Sequence, residues 1–133
     1  MASFWYTEYK NHDTEIDLLT DDLKLALFTS SFSPSALDEF FSDLANEVVG
    51  SGYTAGGKSL SGRSIVSGVF DANDVIWNPS SITARYAVLY HDTGDPSTSR
   101  LIRCYDPGAE KTSSSNSFVA QFDGAGIFTK TFT

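Results

Sequence analysis

The sequence predicts a mainly β fold, an antiparallel β-sandwich or barrel of about seven strands with one amphipathic α-helix near residues 34–47. Three observations predict it. Residues 82–94 read as one long strand, in which Ile82, Ala84, Tyr86, Val88 and Tyr90 share a face. Thr83, Arg85, Ala87 and Leu89 share the other, and the second half is apolar on both, as in a strand at the centre of a sheet. Around it lie short β-branched and aromatic runs joined by tight turns. A single stretch, 34–47, carries apolar residues at helical spacing.

From the N-terminus, residues 3–9 are rich in aromatics, with Phe4, Trp5, Tyr6 and Tyr9, and residues 10–15 are polar. Residues 1–15 are therefore expected to form an arm, with those four rings packing on the chain's own core or on a neighbour. The single β-rich domain is expected to cover 16–133. Ile16, Leu18 and Leu19 restart apolar character, and Thr20-Asp21-Asp22 reads as a turn. In residues 23–29, Leu23, Leu25 and Leu27 alternate as in a strand.

The helix is read from Ser33-Pro34, an N-cap followed by proline in the first turn. Phe32 and Leu37 suit a hydrophobic staple. Leu37, Phe40, Phe41, Leu44 and Val48 make the apolar stripe, and Asp38 and Glu39 suit the positive end of the helix dipole. Gly50 and Gly52 lie beyond its end. Residues 50–64 are rich in Gly, Ser and Thr and read as a loop with little core of its own. Strands are then expected at Ile65–Phe70, Val75–Trp77, Ile82–Tyr90, Leu101–Tyr105, Phe118–Phe122 and Ile127–Phe132. Asp71-Ala72-Asn73, Asn78-Pro79-Ser80, Gly94-Asp95-Pro96, Asp106-Pro107-Gly108 and 123–126 supply turns between them. No repeat at solenoid or propeller period is present.

The 133 residues match one domain, in which roughly two-thirds of the unfolded surface can be buried. One cysteine, Cys104, excludes an internal disulfide and reads as a small core residue. The first ten residues lack the basic and apolar regions of a leader, and no apolar run approaches the ~20 residues of a membrane helix. A cytosolic product that does not enter a membrane is expected. Residues 1–47 carry ten acidic and two basic side chains, whereas 48–133 carry seven of each. The net charge of −8 thus comes from the first third. Such a patch solubilises a surface or steers it towards a basic partner, and it disfavours nucleic acid.

Two strings resemble catalytic motifs. Gly52-Tyr53-Thr54-Ala55-Gly56-Gly57-Lys58-Ser59 matches the phosphate-binding pattern G-x-x-x-x-G-K-S. That chemistry needs a strand before the loop and a helix after it, and here the order is reversed. Asp92-Thr93-Gly94 matches the triplet of aspartic proteases, whose paired carboxylates share a proton. His91 and Pro96 depart from that pattern, so an Asp-led turn is expected. His12 and His91 are isolated, and Asp71 with Asp74 fall short of a calcium shell. No metal or cofactor is expected. Arg85 needs solvent, a carboxylate or another subunit, and Trp77 and Tyr86 read as core or sheet-face residues.

Asn46-Glu47-Val48-Val49-Gly50-Ser51-Gly52-Tyr53-Thr54-Ala55-Gly56-Gly57, then Val75-Ile76-Trp77 and Thr83-Ala84-Arg85-Tyr86-Ala87-Val88-Leu89-Tyr90, resemble a family of small structural proteins of tailed bacteriophages. Leu23-Lys24-Leu25-Ala26-Leu27 and Ala125-Gly126-Ile127-Phe128 fit the same pattern, so the resemblance spans about residues 16–130. It implies a non-enzymatic virion protein with no catalytic residues to carry over. A capsid decoration, or cement, protein is expected, binding the major capsid protein or other virion proteins and forming homo-oligomers. Contacts are expected at Phe4, Trp5, Tyr6 and Tyr9 and at loops 50–64 and 106–116. A tail or neck component, an Asp92 hydrolase and a glycan-binding module are the alternatives.

Overall fold

The computed structural model describes residues 3–121 and 128–129. In chain order it contains β1 (Phe4–Trp5), α1 (Thr7–His12), β2 (Leu23–Phe28), β3 (Lys58–Ser59), β4 (Ser64–Val66), β5 (Val69–Asp71) and β6 (Val75–Ser80). There follow β7 (Thr83–Ala84), β8 (Tyr86–His91), β9 (Leu101–Tyr105), β10 (Lys111–Thr112), β11 (Asn116–Ala120) and β12 (Phe128–Thr129). The fold is mainly β and antiparallel, and among the described residues the sheets do not close into a barrel.

The main sheet has the order β1-β9-β8-β2-β3, so the strand read as central lies at its middle. Val88 and Leu89 are both fully buried, as double-faced apolarity requires. Smaller sheets, β11-β6, β10-β7 and β12-β5-β4, complete the described residues.

Cross-strand partners share a face, so the register sorts the side chains. Ala26, Val88, Cys104 and Phe4 form one row, and Phe28 and Tyr86 continue that face. Leu25, Leu89, Arg103 and Trp5 form a row on the opposite face, beside Leu27, Ala87 and Tyr105.

The first face is covered by residues 30–48, and here the expected helix near residues 34–47 does not form. The segment is an extended strap with a three-residue 3₁₀ turn at Phe41–Asp43. Its peptide groups bond outward. Ala36 O accepts from Thr7 N, Glu39 O from Leu101 N, and Phe41 N donates to Ser99 O. Val48 N donates to Leu27 O. The strap thus runs from beside α1 to beside β2. An extended chain advances about 3.3 Å per residue against 1.5 Å in a helix, so an extended strap reaches across several strands where a helix would not. Phe32 packs on Phe28 at 4.6 Å and on Tyr86 at 5.5 Å, and Phe41 stacks on Tyr90 at 4.3 Å. Leu37, read as stripe, is 78% exposed.

The expected strand 65–70 is a hairpin. Ser67 (φ 52°) and Gly68 (φ 81°) both take the left-handed conformation that a tight two-residue turn needs. Strand 75–77 runs on to Ser80, and the expected Asn78-Pro79 turn is a bulge, two residues opposite one on β11. Strand 82–90 breaks at Arg85 between β7 and β8. Of the last expected strand only Phe128–Thr129 is described, pairing with β5, and the rest of 127–132, with Phe122, lies outside the described residues.

Residues 3–15 do not stand apart as an arm. β1 pairs with β9 as the sheet's edge, and Tyr6 and Tyr9 are 0% and 3% exposed, within the common core. The physical reason is area: aromatic rings each bury a large apolar surface, and the sheet edge offers it within the same chain.

Candidate functional site

The two motif-like strings are occupied by structure. Ser59 ends in strand rather than opening a helix. The Glu47 carboxylate accepts from Gly56 N at 2.7 Å and from the Tyr53 hydroxyl, so an amide that would meet phosphate already has an anion. Lys58 Nζ donates to Ile76 O at 2.6 Å and lies 6.0 Å from the Trp77 ring. The loop has more core than its composition suggests. Tyr53 Oη accepts from Leu27 N at 2.9 Å, Tyr90 donates to Gly56 O at 2.6 Å, and Leu60 is buried. At Gly57 (φ +84°) a Cβ would lie 1.9 Å from Leu25 O, so glycine alone permits this approach to β2.

Asp92 caps its own turn, accepting from Gly94 N at 2.9 Å and pairing with Lys24 Nζ at 2.7 Å. The bonded Lys24 ammonium holds its carboxyl below the usual range. Asp71 accepts from Ala72 N at 2.8 Å, and no group of three potential metal ligands occurs among the described residues. His12 lies 3.4 Å from Glu8 and 3.2 Å from Glu15, and His91 lies 3.8 Å from Asp21. Cys104 is buried beside Tyr6, and burial pushes its thiol up to about 12. Arg85 finds its carboxylate in Asp106 at 3.3 Å. Trp77 and Tyr86 are core residues.

A different cluster emerges on the second face of the main sheet. Cross-strand pairing sets Trp5 beside Arg103, and alternation along β9 sets Tyr105 on the same side. The Arg103 guanidinium lies 4.8 Å from the Trp5 ring and 5.5 Å from the Tyr105 ring. Trp5 in turn stacks on Tyr9 at 5.6 Å and 9°. The cation is held by ring quadrupoles, and no carboxylate pairs with it among the described residues. Burial of Tyr105 raises its phenol above the usual value. Trp5, Arg103 and Tyr105 are all half-buried, so the ladder is seen by solvent along one side.

Next to it the sheet face is notched. Ala87 sits between Leu27 and Tyr105 in one row, and its small side chain leaves a hollow. The hollow opens into a groove of about 470 Å³, floored by Leu25, Leu27 and Ala87. Phe118 and Ala120 of β11 wall one side, and Tyr105, Asp106 and Lys111 the other. β11 has β6 as its strand neighbour, and its far edge carries no strand among the described residues. Such a place can bind an apolar or aromatic surface together with an anion.

Of the expected contact residues, Trp5 belongs to this cluster. Phe4 is half-buried on the opposite face, Tyr6 is buried inside the chain, and Tyr9 is buried behind Trp5, on which it stacks. Loop 106–116 contributes Asp106, Pro107 and Lys111, while loop 50–64 contributes no lining residue. Sequence reasoning missed Ala87, Arg103 and Tyr105. Arginine in the apolar run Leu101-Ile102-Arg103-Cys104-Tyr105 was the available signal.

The chain matches no family model, no curated protein and no solved structure.

Proposed function

We propose that this chain is a non-enzymatic structural protein of a tailed-phage virion, a decoration protein that binds the outer capsid shell and stabilises it. The supporting observation is the half-covered face carrying Trp5, Arg103 and Tyr105 beside an apolar groove. Aromatic and arginine side chains in partly desolvated settings are the residues that dominate protein–protein affinity. The resemblance of residues 46–57 and 83–90 to virion proteins supplies the partner, the major capsid protein or its neighbours. An acidic N-terminal third suits an outer surface rather than contact with packaged DNA. On a lattice, weak contacts add through many copies.

Undecorated capsid shells titrated with the purified protein test this reading. Saturation at a fixed copy number and a higher shell disassembly temperature are expected. Trp5→Ala combined with Arg103→Ala, worth about 2 kcal/mol or more as a hot spot, is expected to weaken binding about thirtyfold. Density at the tail or neck of imaged virions would instead select that location, and absence from particles would overturn the reading.

A further inference from the structure

We infer that the groove beside β11 receives the Leu37 turn of a second copy of this chain, making a head-to-tail contact. The groove offers an apolar floor at Leu25, Leu27 and Ala87, with Lys111 at its rim. Among the described residues Lys111 has no carboxylate partner. The required occupant is therefore an apolar side chain flanked by negative charge.

This chain displays one. Leu37 is 78% exposed at the corner of a turn closed by Asp38 N to Ser35 O. Asp38 and Glu39 follow it, and neither pairs with a cation among the described residues. Burial, and Asp43 after it, hold Asp38 above the usual carboxylate range. The charge asymmetry of the whole chain acts in the same sense, an acidic first third against a neutral remainder.

Placement fixes the symmetry. The Leu37 turn belongs to the strap on one side of the main sheet, and the groove lies on the other. One copy cannot close both halves with the same neighbour by a two-fold axis. The contact is heterologous and generates a ring or a stack. It concerns purified protein in solution, so it fails or holds apart from capsid binding.

Sedimentation equilibrium on the full chain tests it. The wild-type chain is expected to associate, more weakly at higher salt. Leu37→Asp, Glu39→Lys and Lys111→Glu are each expected to weaken association tenfold or more. All three are exposed positions, and unchanged urea midpoints would confirm that each variant folds. The decisive measurement combines Glu39→Lys and Lys111→Glu in one chain. Each fails alone through like charge, and together they are expected to recover association, because every junction again joins opposite signs. A monomeric wild type, single variants that associate normally, or a double variant that does not recover would each overturn the inference.

Discussion

The main sheet is covered twice, by unlike means. On one face the strap lays Phe32, Phe41 and Val48 over Phe28, Tyr86 and Tyr90. On the other, Trp77 and Phe118 meet edge-on at 6.2 Å, and Phe118 lines the groove with Leu25 and Leu27. Among the described residues that cover stops at Ala87, and Arg103, Tyr105 and Trp5 are half-buried. The first face is closed by apolar burial, which is non-directional and collective. The second is equally buried at its centre, where Leu25, Leu27, Leu89 and Trp77 lie, but ends in a cation held against rings. The two faces thus differ at their margins, closed under the strap and half-buried on the face it does not reach.

The sharpest way to break this contrast is to remove one ring from each face. Phe32 is 5% exposed and touches two other rings. Phe32→Ala is expected to cost about 3–5 kcal/mol, since the cavity it leaves is bounded by a strap anchored at both ends. Trp5→Ala, at the half-covered edge, is expected to cost clearly less stability. Urea denaturation of both variants checks the ranking. If Trp5→Ala proves the more damaging, the second face belongs to the core and not to a partner.

What was legible in the sequence follows the same division. β2, β8 and β9 were readable because alternation along a buried strand is local information. The strap was not. Leu37, Phe40, Phe41, Leu44 and Val48 have helical spacing, yet Phe40 and Phe41 bridge to neighbouring chain and Leu37 points to solvent. Capping and periodicity describe a helix in isolation, whereas a sheet face in need of a cover rewards reach. The Trp5–Arg103 pairing joins strands far apart in the chain, and two residues of β1 hold no pattern by themselves. Arg85 was readable as a charge needing a partner, but Asp106 as that partner was not.

A second prediction sharpens the contrast at the strap's end. Tyr53 Oη accepts from Leu27 N and donates to Glu47, tying the 50–64 loop to the point where the strap rejoins β2. Burial comes first among the causes that hold this phenol above its ordinary value. Tyr53→Phe leaves the Leu27 amide without its acceptor, and the expected loss is about 1–3 kcal/mol. Hydrogen exchange at Leu27 is expected to quicken more than at Ala87. Unchanged exchange at Leu27 would mean that the loop is not fastened through this bond.

The smallest expected effect lies at the rim, between the two faces. Asp92 and Lys24 are 20% and 29% exposed, so solvent screens their 2.7 Å bridge. A double-mutant cycle of Asp92→Asn and Lys24→Met is expected to give a coupling of about 0.2–1 kcal/mol. The pH dependence carries a definite sign. Lys24 first, and the Gly94 amide after it, lower the Asp92 carboxyl in the folded chain. An unfolded aspartate titrates near 3.9, so this contribution is complete above about pH 5 and disappears as pH falls through the lower, folded value. The stability gap between wild type and Asp92→Asn is therefore expected to be flat from about pH 6 to 8 and to close in acid. A gap that widened in acid, or a coupling of several kcal/mol, would mean a carboxylate held for something other than a turn. A small coupling would instead show how little rim charge contributes beside the rings that the strap buries.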